Sequence, residues 1–467
     1  MATRYDAIVI GGGPGGYSAA IRLGQLGKKV LCVERYRLGG VCLNVGCMPS
    51  KALLHVGEVI TAAHDLKEMG VTFGEPKLDL SGLNKWKSKM IDDLVGGIGT
   101  LFKANKVESM FGEATVVDKN TVRVKKTDGG EETVNCDNLV IATGSEPVAL
   151  PGFERNSKTV LNSDDAIAMA EVPKSIVILG AGVIGLEFAT IYRRLGAEVT
   201  VVEMLDRALG DTDLEISTLL LRILKKQGIT VHIKTKCASV DVRSNGVVAK
   251  LQGEVNVMQE AEKMLVAVGR RPRTPQGADK LGITIDRGFI KVDEQRRTNV
   301  AGVYAIGDCT GAPQLAHKAM KEGVVAAEVI AGMKSAYDPM AMPNCVYTDP
   351  EVATVGLSEE QARAAGYDIS VGKFRLAALG RARTVGISEG MVKIVGDKKT
   401  DLVLGVHIVS PMAESMIAEA VIAIEMGATV EDIGLSVHPH PTFAESIMEA
   451  SELLHGRAIH MVNTPQK

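Results

Sequence analysis

The pattern G-x-G-x-x-G occurs twice in this 467-residue chain, each time between a short apolar run and a helix-like one. In the first copy residues 7–10, Ala-Ile-Val-Ile, lead directly into Gly11-Gly12-Gly13-Pro14-Gly15-Gly16, and a helix-like stretch follows over 17–26. An apolar run of four is too short for a helix and reads as a buried strand. A second strand over 29–33 ends at Glu34, completing a strand, turn, helix, strand and acid. The second copy repeats this order with 176–179, Gly180-Ala181-Gly182-Val183-Ile184-Gly185, a helix to about 195 and a strand over 198–202 ending at Glu203. In both copies the acid follows the first glycine by 23 residues. A lone match is often an ordinary glycine-rich turn, but two in full context predict two βαβ dinucleotide-binding units.

The glycines have separate duties. Gly11 and Gly180 permit the tight turn, Gly13 and Gly182 let the backbone approach a pyrophosphate, and Gly16 and Gly185 let helix and strand pack closely. Glu34 and Glu203 are placed to accept from a ribose hydroxyl. A carboxylate repels a 2′-phosphate, so Glu203 favours NAD over NADP, with Arg207 the one nearby residue that pulls the other way. Two dinucleotides on one chain imply electrons passing between them.

Composition closes off other classes. The length predicts about three domains at roughly 150 residues each, and 46% hydrophobic with 23% charged residues is a globular balance able to bury cores. Lys+Arg total 53 against Asp+Glu 56, a net charge of -3 that gives no basic excess for nucleic acid. Apolar runs are broken by glycine before the roughly 18 residues that span a bilayer, so no membrane association is expected. The seven cysteines, Cys32, Cys42, Cys47, Cys136, Cys237, Cys309 and Cys345, are odd in number and thinly spread. They form no secreted disulfide framework, and with no visible signal peptide a cytoplasmic location is expected, or the mitochondrial matrix if a transit peptide was removed.

Two of those cysteines stand close together in Gly40-Val41-Cys42-Leu43-Asn44-Val45-Gly46-Cys47-Met48-Pro49-Ser50-Lys51. A disulfide closing so small a loop contributes only about 2 kcal/mol on the chain-entropy model, too little for a staple in a large chain. Redox chemistry is the better reading, and no further ligands at metal spacing accompany the pair. The thiolate is the nucleophile, so a base is needed. The outstanding context is His438-Pro439-His440-Pro441-Thr442-Phe443-Ala444-Glu445, where Glu445 would orient an imidazole. Spacing alone does not choose between His438 and His440.

Together these segments, with Gly180 to Glu187, Ala142-Thr143-Gly144, Val268-Gly269-Arg270-Arg271-Pro272, Tyr304-Ala305-Ile306-Gly307-Asp308 and Leu315-Ala316-His317-Lys318-Ala319, resemble the dihydrolipoamide dehydrogenases. These are the flavoprotein components of 2-oxo acid dehydrogenase complexes, within the class I pyridine nucleotide-disulfide oxidoreductases. The resemblance covers essentially the whole chain and is nearest to bacterial members. It implies an α/β fold with two Rossmann-like dinucleotide-binding domains, for FAD and NAD, and an α+β C-terminal dimerisation domain. The implied boundaries are 1–147 and 275–345 for FAD, 148–274 for NAD and 346–467 for dimerisation.

By the same resemblance, FAD would contact Gly11, Gly13, Pro14, Gly15, Gly16, Glu34, Arg35, Gly40, Val41, Cys42, Cys47, Lys51, Gly112, Ala142, Thr143, Gly144, Asp308, Gln314, Leu315, Ala316 and His317. NAD would use Gly180, Gly182, Val183, Ile184, Gly185, Glu187, Glu203 and Gly269. Lys51, paired with Glu187, would lie beside the flavin. Cys42 and Cys47 would be the redox disulfide, with His440 as base and Glu445 holding its tautomer, in a homodimer whose active sites are shared between subunits. The implied partners are lipoyl domains of an acyltransferase core or the glycine cleavage H protein. Met48 and Pro439 depart from the usual pattern beside reacting residues without removing one.

Two rival readings follow. An NAD(P)H-dependent reductase of another low-molecular-weight disulfide is opposed by Glu203 and by Pro49-Ser50-Lys51, where glutathione reductases commonly carry Pro-Lys-Lys. A non-catalytic subunit of a complex would leave Cys42, Cys47, Lys51 and His440 without a purpose.

Overall fold

The computed structural model describes residues 3–463. Contacts divide the chain into two compact units, one formed by residues through Ala149 with Asn162–Glu171 and Gly269–Asp338, the other by Leu150–Leu161, Val172–Val268 and the chain from Pro339 onward.

In the first unit the strand Arg4–Ile10 lies at the centre of a parallel layer. Val30–Glu34 and then Val107–Asp118 flank it on one side, Glu131–Ile141 and then Val303–Ala305 on the other. Both faces of this layer are covered. Ala7 and Val9 pack with Ala19 and Leu23 of the helix Pro14–Gln25, while Ile8 and Ile10 pack with Leu139 and Val303. A strand buried on both faces cannot alternate apolar with polar residues, hence the unbroken run at 7–10. The helix begins at Pro14, three residues before the expected start, because proline at the first helical position lacks only a donor that is unpaired there anyway. Past the parallel region, Thr121–Lys126 bridges the far ends of Val107–Asp118 and Glu131–Ile141 as an antiparallel strand.

The second unit repeats the plan. Its parallel sheet runs Ile229–His232, Glu198–Val202, Ser175–Leu179, Lys263–Val266, Val160–Leu161, and the helix Val183–Arg194 follows the second glycine-rich turn. A three-stranded antiparallel sheet, Thr235–Arg243, Gly246–Gly253 and Val257–Ala261, is inserted before the fourth of these.

The same unit carries a five-stranded antiparallel sheet ordered Asn344–Val346, Glu351–Gly356, Val403–Ser410, Met391–Asp397, Ile369–Arg375. Val392, Ile394, Val406 and Ile408 meet Ile417 and Ala420 of the helix Ala413–Glu425 and Ile447 and Ala450 of the helix Glu445–Leu454. This last helix lies so close to the edge strand that a Cβ on Gly372 would fall 1.9 Å from the Ala450 carbonyl oxygen. Glycine at 372 thereby sets the height of the helix that begins with Glu445.

On the strand Met391–Asp397, Lys393 is 2% exposed and its ammonium donates to both Asp213 oxygens at 2.9 Å and pairs with Glu359 at 2.8 Å. Asp213 also accepts the Glu215 N–H at the start of the helix Leu214–Lys226. A buried ion cluster therefore pins the helix Leu214–Lys226 to the antiparallel sheet. Among the described residues no helix is long and apolar enough to cross a membrane.

Candidate active site

The two glycine-rich turns are built alike. Gly11 and Gly180 have φ +108° and +101°, and a Cβ on either would fall 2.2 Å from the Ala142 oxygen or 2.5 Å from the Ala267 oxygen. A Cβ on Gly16 would fall 1.8 Å from the Gly11 oxygen, and one on Gly185 1.9 Å from the Gly180 oxygen. First and third glycines are thus demanded by the chain's own packing. The middle ones are not, since a Cβ on Gly13 would have no neighbour nearer than 3.8 Å and one on Gly182 none within 4 Å. Their φ angles of -71° and -79° suit any residue. Space kept clear against backbone, at the N-terminus of a helix, is what a pyrophosphate requires.

Each acid closes its own turn. Gly12 N–H donates to Glu34 Oε2 at 2.7 Å, and Ala181 N–H to Glu203 Oε2 at 2.8 Å. The other oxygens accept Tyr36 N–H and Leu205 N–H. A carboxylate oxygen has two lone pairs, so capacity for a ribose hydroxyl remains. Arg207 pairs with Glu360 at 2.7 Å, so its guanidinium is engaged by a carboxylate.

Cys42 lies in the short helix Gly40–Val45, and Cys47 opens the 19-residue helix Cys47–Asp65. On one continuous helix residues five apart point about 140° from each other. Gly46, with φ -141° and ψ -115°, breaks the helix between them. The two thiols meet in a hydrogen bond, which together with burial pushes the Cys42 thiol up, against the pull of the Lys51 ammonium. Cys42 therefore keeps its proton, and Cys47, at a helix N-terminus, is the sulfur where negative charge is favoured. Asn44 anchors the short helix by donating to the Leu38 and Gly40 carbonyls at 3.0 and 2.8 Å.

Around Asp308 the structure assembles groups that local sequence does not connect. Ser145 Oγ donates to Asp308 Oδ2 at 2.5 Å, and Arg270 donates to Ser145 Oγ at 2.8 Å and to its carbonyl at 2.9 Å. Burial pulls the Arg270 guanidinium down, while Asp308 and Cys47 draw it up. The turn Gly307–Thr310 is fixed by Glu322, fully buried, which accepts the Gly307 N–H at 2.6 Å and pairs with Arg296 and Lys318 at 2.9 and 3.2 Å. Ser145, Arg270 and Glu322 were not among the expected site residues. Nearby in sequence, the buried Gln314 Nε2 has no partner among the described residues, a donor left for a ligand. Leu315 caps the helix Ala316–Ile330, on which His317 follows.

The remaining expected residues take varied places. Glu187 is buried and accepts the Tyr347 N–H at 3.1 Å. Gly112 serves the sheet, since a Cβ there would fall 2.4 Å from the Lys125 oxygen. Ala142 N–H donates to Ile10, Gly144 accepts Arg273 N–H, and Gly269 accepts Val148 N–H. Thr143 donates to the Arg273 carbonyl. Arg35 is exposed just after the strand Val30–Glu34.

Geometry separates the two histidines that spacing leaves equal. His440 Nδ1 lies 2.8 Å from Glu445 Oε1, and its side chain is 77% exposed. The other Glu445 oxygen accepts the Thr442 N–H at 2.7 Å. Burial pushes the Glu445 carboxyl up, but Thr442 and His440 outweigh it and hold it below the usual range, so it is ionised and able to stabilise an imidazolium. His438 is 6% exposed, with both ring nitrogens engaged. Of the two, it is His440 that presents an imidazole nitrogen for proton transfer.

A dithiol at a helix start, two dinucleotide cradles and an exposed His–Glu pair define a dinucleotide-dependent disulfide oxidoreductase. A model of the pyridine nucleotide-disulphide oxidoreductase family matches residues 5–323, and the dimerisation domain of that family matches 342–451. Dihydrolipoyl dehydrogenase from Thermus scotoductus is 48% identical over 98% of this chain and 99% of its own length. That from Bacillus subtilis is 44% identical over 98% of both. Among solved structures, LpdA from Mycobacterium tuberculosis superposes with TM-score 0.88 at 25% identity, covering 97% of this chain and 99% of its own. The HOCl-induced flavoprotein disulfide reductase RclA from Escherichia coli, in its Cu(II) complex, gives 0.86 at 25% identity over 97% and 99%. The chain belongs to the dihydrolipoyl dehydrogenase family of pyridine nucleotide-disulphide oxidoreductases. It is an FAD- and NAD-dependent oxidoreductase with a C-terminal dimerisation domain.

Proposed function

We propose that the chain reoxidises protein-bound dihydrolipoamide to lipoamide through a Cys42-Cys47 disulfide, with FAD as intermediate carrier and NAD as final acceptor. The observation that carries this is the Cys42–Cys47 hydrogen bond at the start of a long helix, beside Lys51. FAD is assigned to 1–147 and 275–345, NAD to 148–274 and dimerisation to 346–467; the family matches over 5–323 and 342–451 support the separation of the dimerisation domain.

With the disulfide formed, His440 of the partner subunit takes a proton from one substrate thiol at Nε2, while Glu445 holds Nδ1–H and stabilises the imidazolium. The substrate thiolate attacks Cys42 Sγ, and Cys47 leaves as a thiolate favoured by the helix N-terminus. The second substrate sulfur then attacks the first, forming the lipoamide disulfide and releasing Cys42, which takes the second proton. Two electrons have passed from the substrate dithiol to the protein disulfide, one proton rests on His440 and one on Cys42. The raised Cys42 thiol is suited to keep it. When bound, the flavin supplies the two-electron acceptor that restores the disulfide, and NAD accepts from it.

Gln314 Nε2, the clear space at Gly13 and the Asp308–Ser145–Arg270 chain are the groups that would hold FAD, and Gly182 with Glu203 those that would hold NAD. The physiological substrates are proposed to be lipoyl domains of an acyltransferase core or a glycine cleavage H protein. A cytoplasmic location is proposed, in keeping with seven cysteines thinly spread along the chain and not arranged as a secreted framework.

The test is NAD reduction by dihydrolipoamide with purified protein, run beside NADP and glutathione controls. Turnover with NAD and dihydrolipoamide alone is expected. A yellow, folded protein without that turnover would assign the dithiol another substrate.

A further inference from the structure

We propose that His438 is a positioning residue for the dithiol half-reaction, an imidazolium clamped between Glu419 and the Ser436 carbonyl that latches the loop carrying His440. The inference rests on His440 being the base.

The protonation state follows from the partners. His438 Nε2 lies 2.8 Å from Glu419 Oε1, and Nδ1 lies 2.9 Å from the Ser436 carbonyl oxygen. A carbonyl has no proton to give, and an ionised carboxylate has none. A neutral imidazole carries a single N–H, so only the doubly protonated ring serves both acceptors. At 6% side-chain exposure, water cannot easily replace a lost partner. The charged groups that face the ring are Glu419, from the helix Ala413–Glu425, and Glu445, at the start of the helix Glu445–Leu454. The Glu419 hydrogen bond raises His438 above the usual histidine value, and outweighs burial, which lowers it.

The latch sits where it can act on the base. Ser436 ends the helix Val430–Leu435, and its hydroxyl donates back to the Asp432 carbonyl at 2.8 Å. On the far side, Thr442 Oγ1 donates to the Pro439 carbonyl and Thr442 N–H to Glu445. His440 is strung between these two anchorages. Glu419 ties the first of them to a helix packed on the antiparallel sheet, through Ile417 and Ala420. When the ring loses a proton, one of its two bonds must go, and the loop carrying His440 loses a restraint. Lipoamide chemistry is then lost as pH rises through the His438 value, which gives the pH profile a descending limb.

The experiment is the pH profile of kcat/KM for dihydrolipoamide in the holoenzyme, for wild type, Glu419→Gln, His438→Gln and His440→Gln. A glutamine oxygen at 419 still accepts from Nε2–H but carries no charge, so the descending limb is expected to move down by about one pH unit or more. A packing role alone would not move it. Transfer from NADH to a dye, which bypasses the dithiol site, keeps its profile in the same variant. His438→Gln removes the limb and lowers kcat/KM about tenfold at neutral pH, the loss of one charge-assisted bond. A Glu419→Gln profile superimposed on wild type, or one displaced equally in the dye reaction, overturns the latch and leaves the base assignment standing. Undiminished lipoamide turnover in His440→Gln overturns both.

Discussion

Glu203 accepts the Ala181 N–H at 2.8 Å, so the acid expected at the ribose also clasps the turn that precedes it. The relation of Glu34 to Gly12 is the same. Removing the carboxylate therefore has two effects that substitution can separate. Glu203→Gln keeps an acceptor for Ala181 and deletes only the charge, whereas Glu203→Ala deletes both. NAD affinity is expected to fall about tenfold in Glu203→Ala, about 1.4 kcal/mol, with a narrowed preference over NADP in both variants. Calorimetric titration of each nucleotide measures this, and an unchanged ratio would remove Glu203 from the ribose site.

The glycines of one turn should respond oppositely to the same mutation. Gly182→Ala meets no protein atom within 4 Å and is expected to fold with wild-type stability while binding NAD weakly. Gly185→Ala places a Cβ 1.9 Å from the Gly180 oxygen and should destabilise the unit by several kcal/mol. Thermal unfolding and NAD binding, measured on both, give a crossed pattern. Equal binding losses would mean that the middle glycine is not against the ligand.

Cys47 should be the sulfur that reacts first. With the Cys42 thiol pushed up by its bond to Cys47 and by burial, alkylation of the reduced enzyme near neutral pH is expected at Cys47. Cys47→Ser should abolish the fast phase, and peptide mapping identifies the modified residue. Fast alkylation at Cys42 in wild type would reverse the two roles.

His440→Gln is expected to slow dihydrolipoamide oxidation by about 10²- to 10⁴-fold, the range for loss of a general base. Electron transfer from NADH to a dye should change little, since it bypasses the dithiol. Stopped-flow measurement of the two half-reactions makes the comparison, and equal losses would point to a folding defect.

The Lys393 cluster governs stability. Burial pushes Asp213 up, but the Lys393 ammonium outweighs it and holds the carboxyl below its usual value. Stability from this pair is thus present above the unfolded carboxylate value and lost as pH falls through the lower folded one. Lys393→Met leaves a buried, uncompensated Asp213 and should cost about 3 to 5 kcal/mol at neutral pH. Urea unfolding should show that cost shrinking in acid, where Asp213 takes a proton. A cost independent of pH would show that packing, not charge, is lost.

Much of this architecture is local and therefore legible in the chain. A strand, a glycine turn, a helix and an acid lie within about thirty residues, so both cradles were visible as patterns, down to the division of labour among their glycines. The cysteine pair was visible for the same reason, although the break at Gly46 that lets the thiols meet needed backbone geometry. The Asp308 surroundings were not legible, because Ser145 stands 163 residues from Asp308 and 125 from Arg270, and no periodicity links them. Nor could spacing rank His438 against His440. What distinguishes them is a carboxylate 19 residues upstream of His438, brought to it by the packing of a helix on a sheet.

Each glycine-rich turn is closed by its own acid, with bonds made entirely within the protein. The entropy of ordering these loops is therefore settled during folding and does not weigh on nucleotide binding. Exchange of NAD for NADH at each turnover then needs no loop to form or dissolve, and a chain stripped of nucleotide should be competent to take it up again as a rigid receptor.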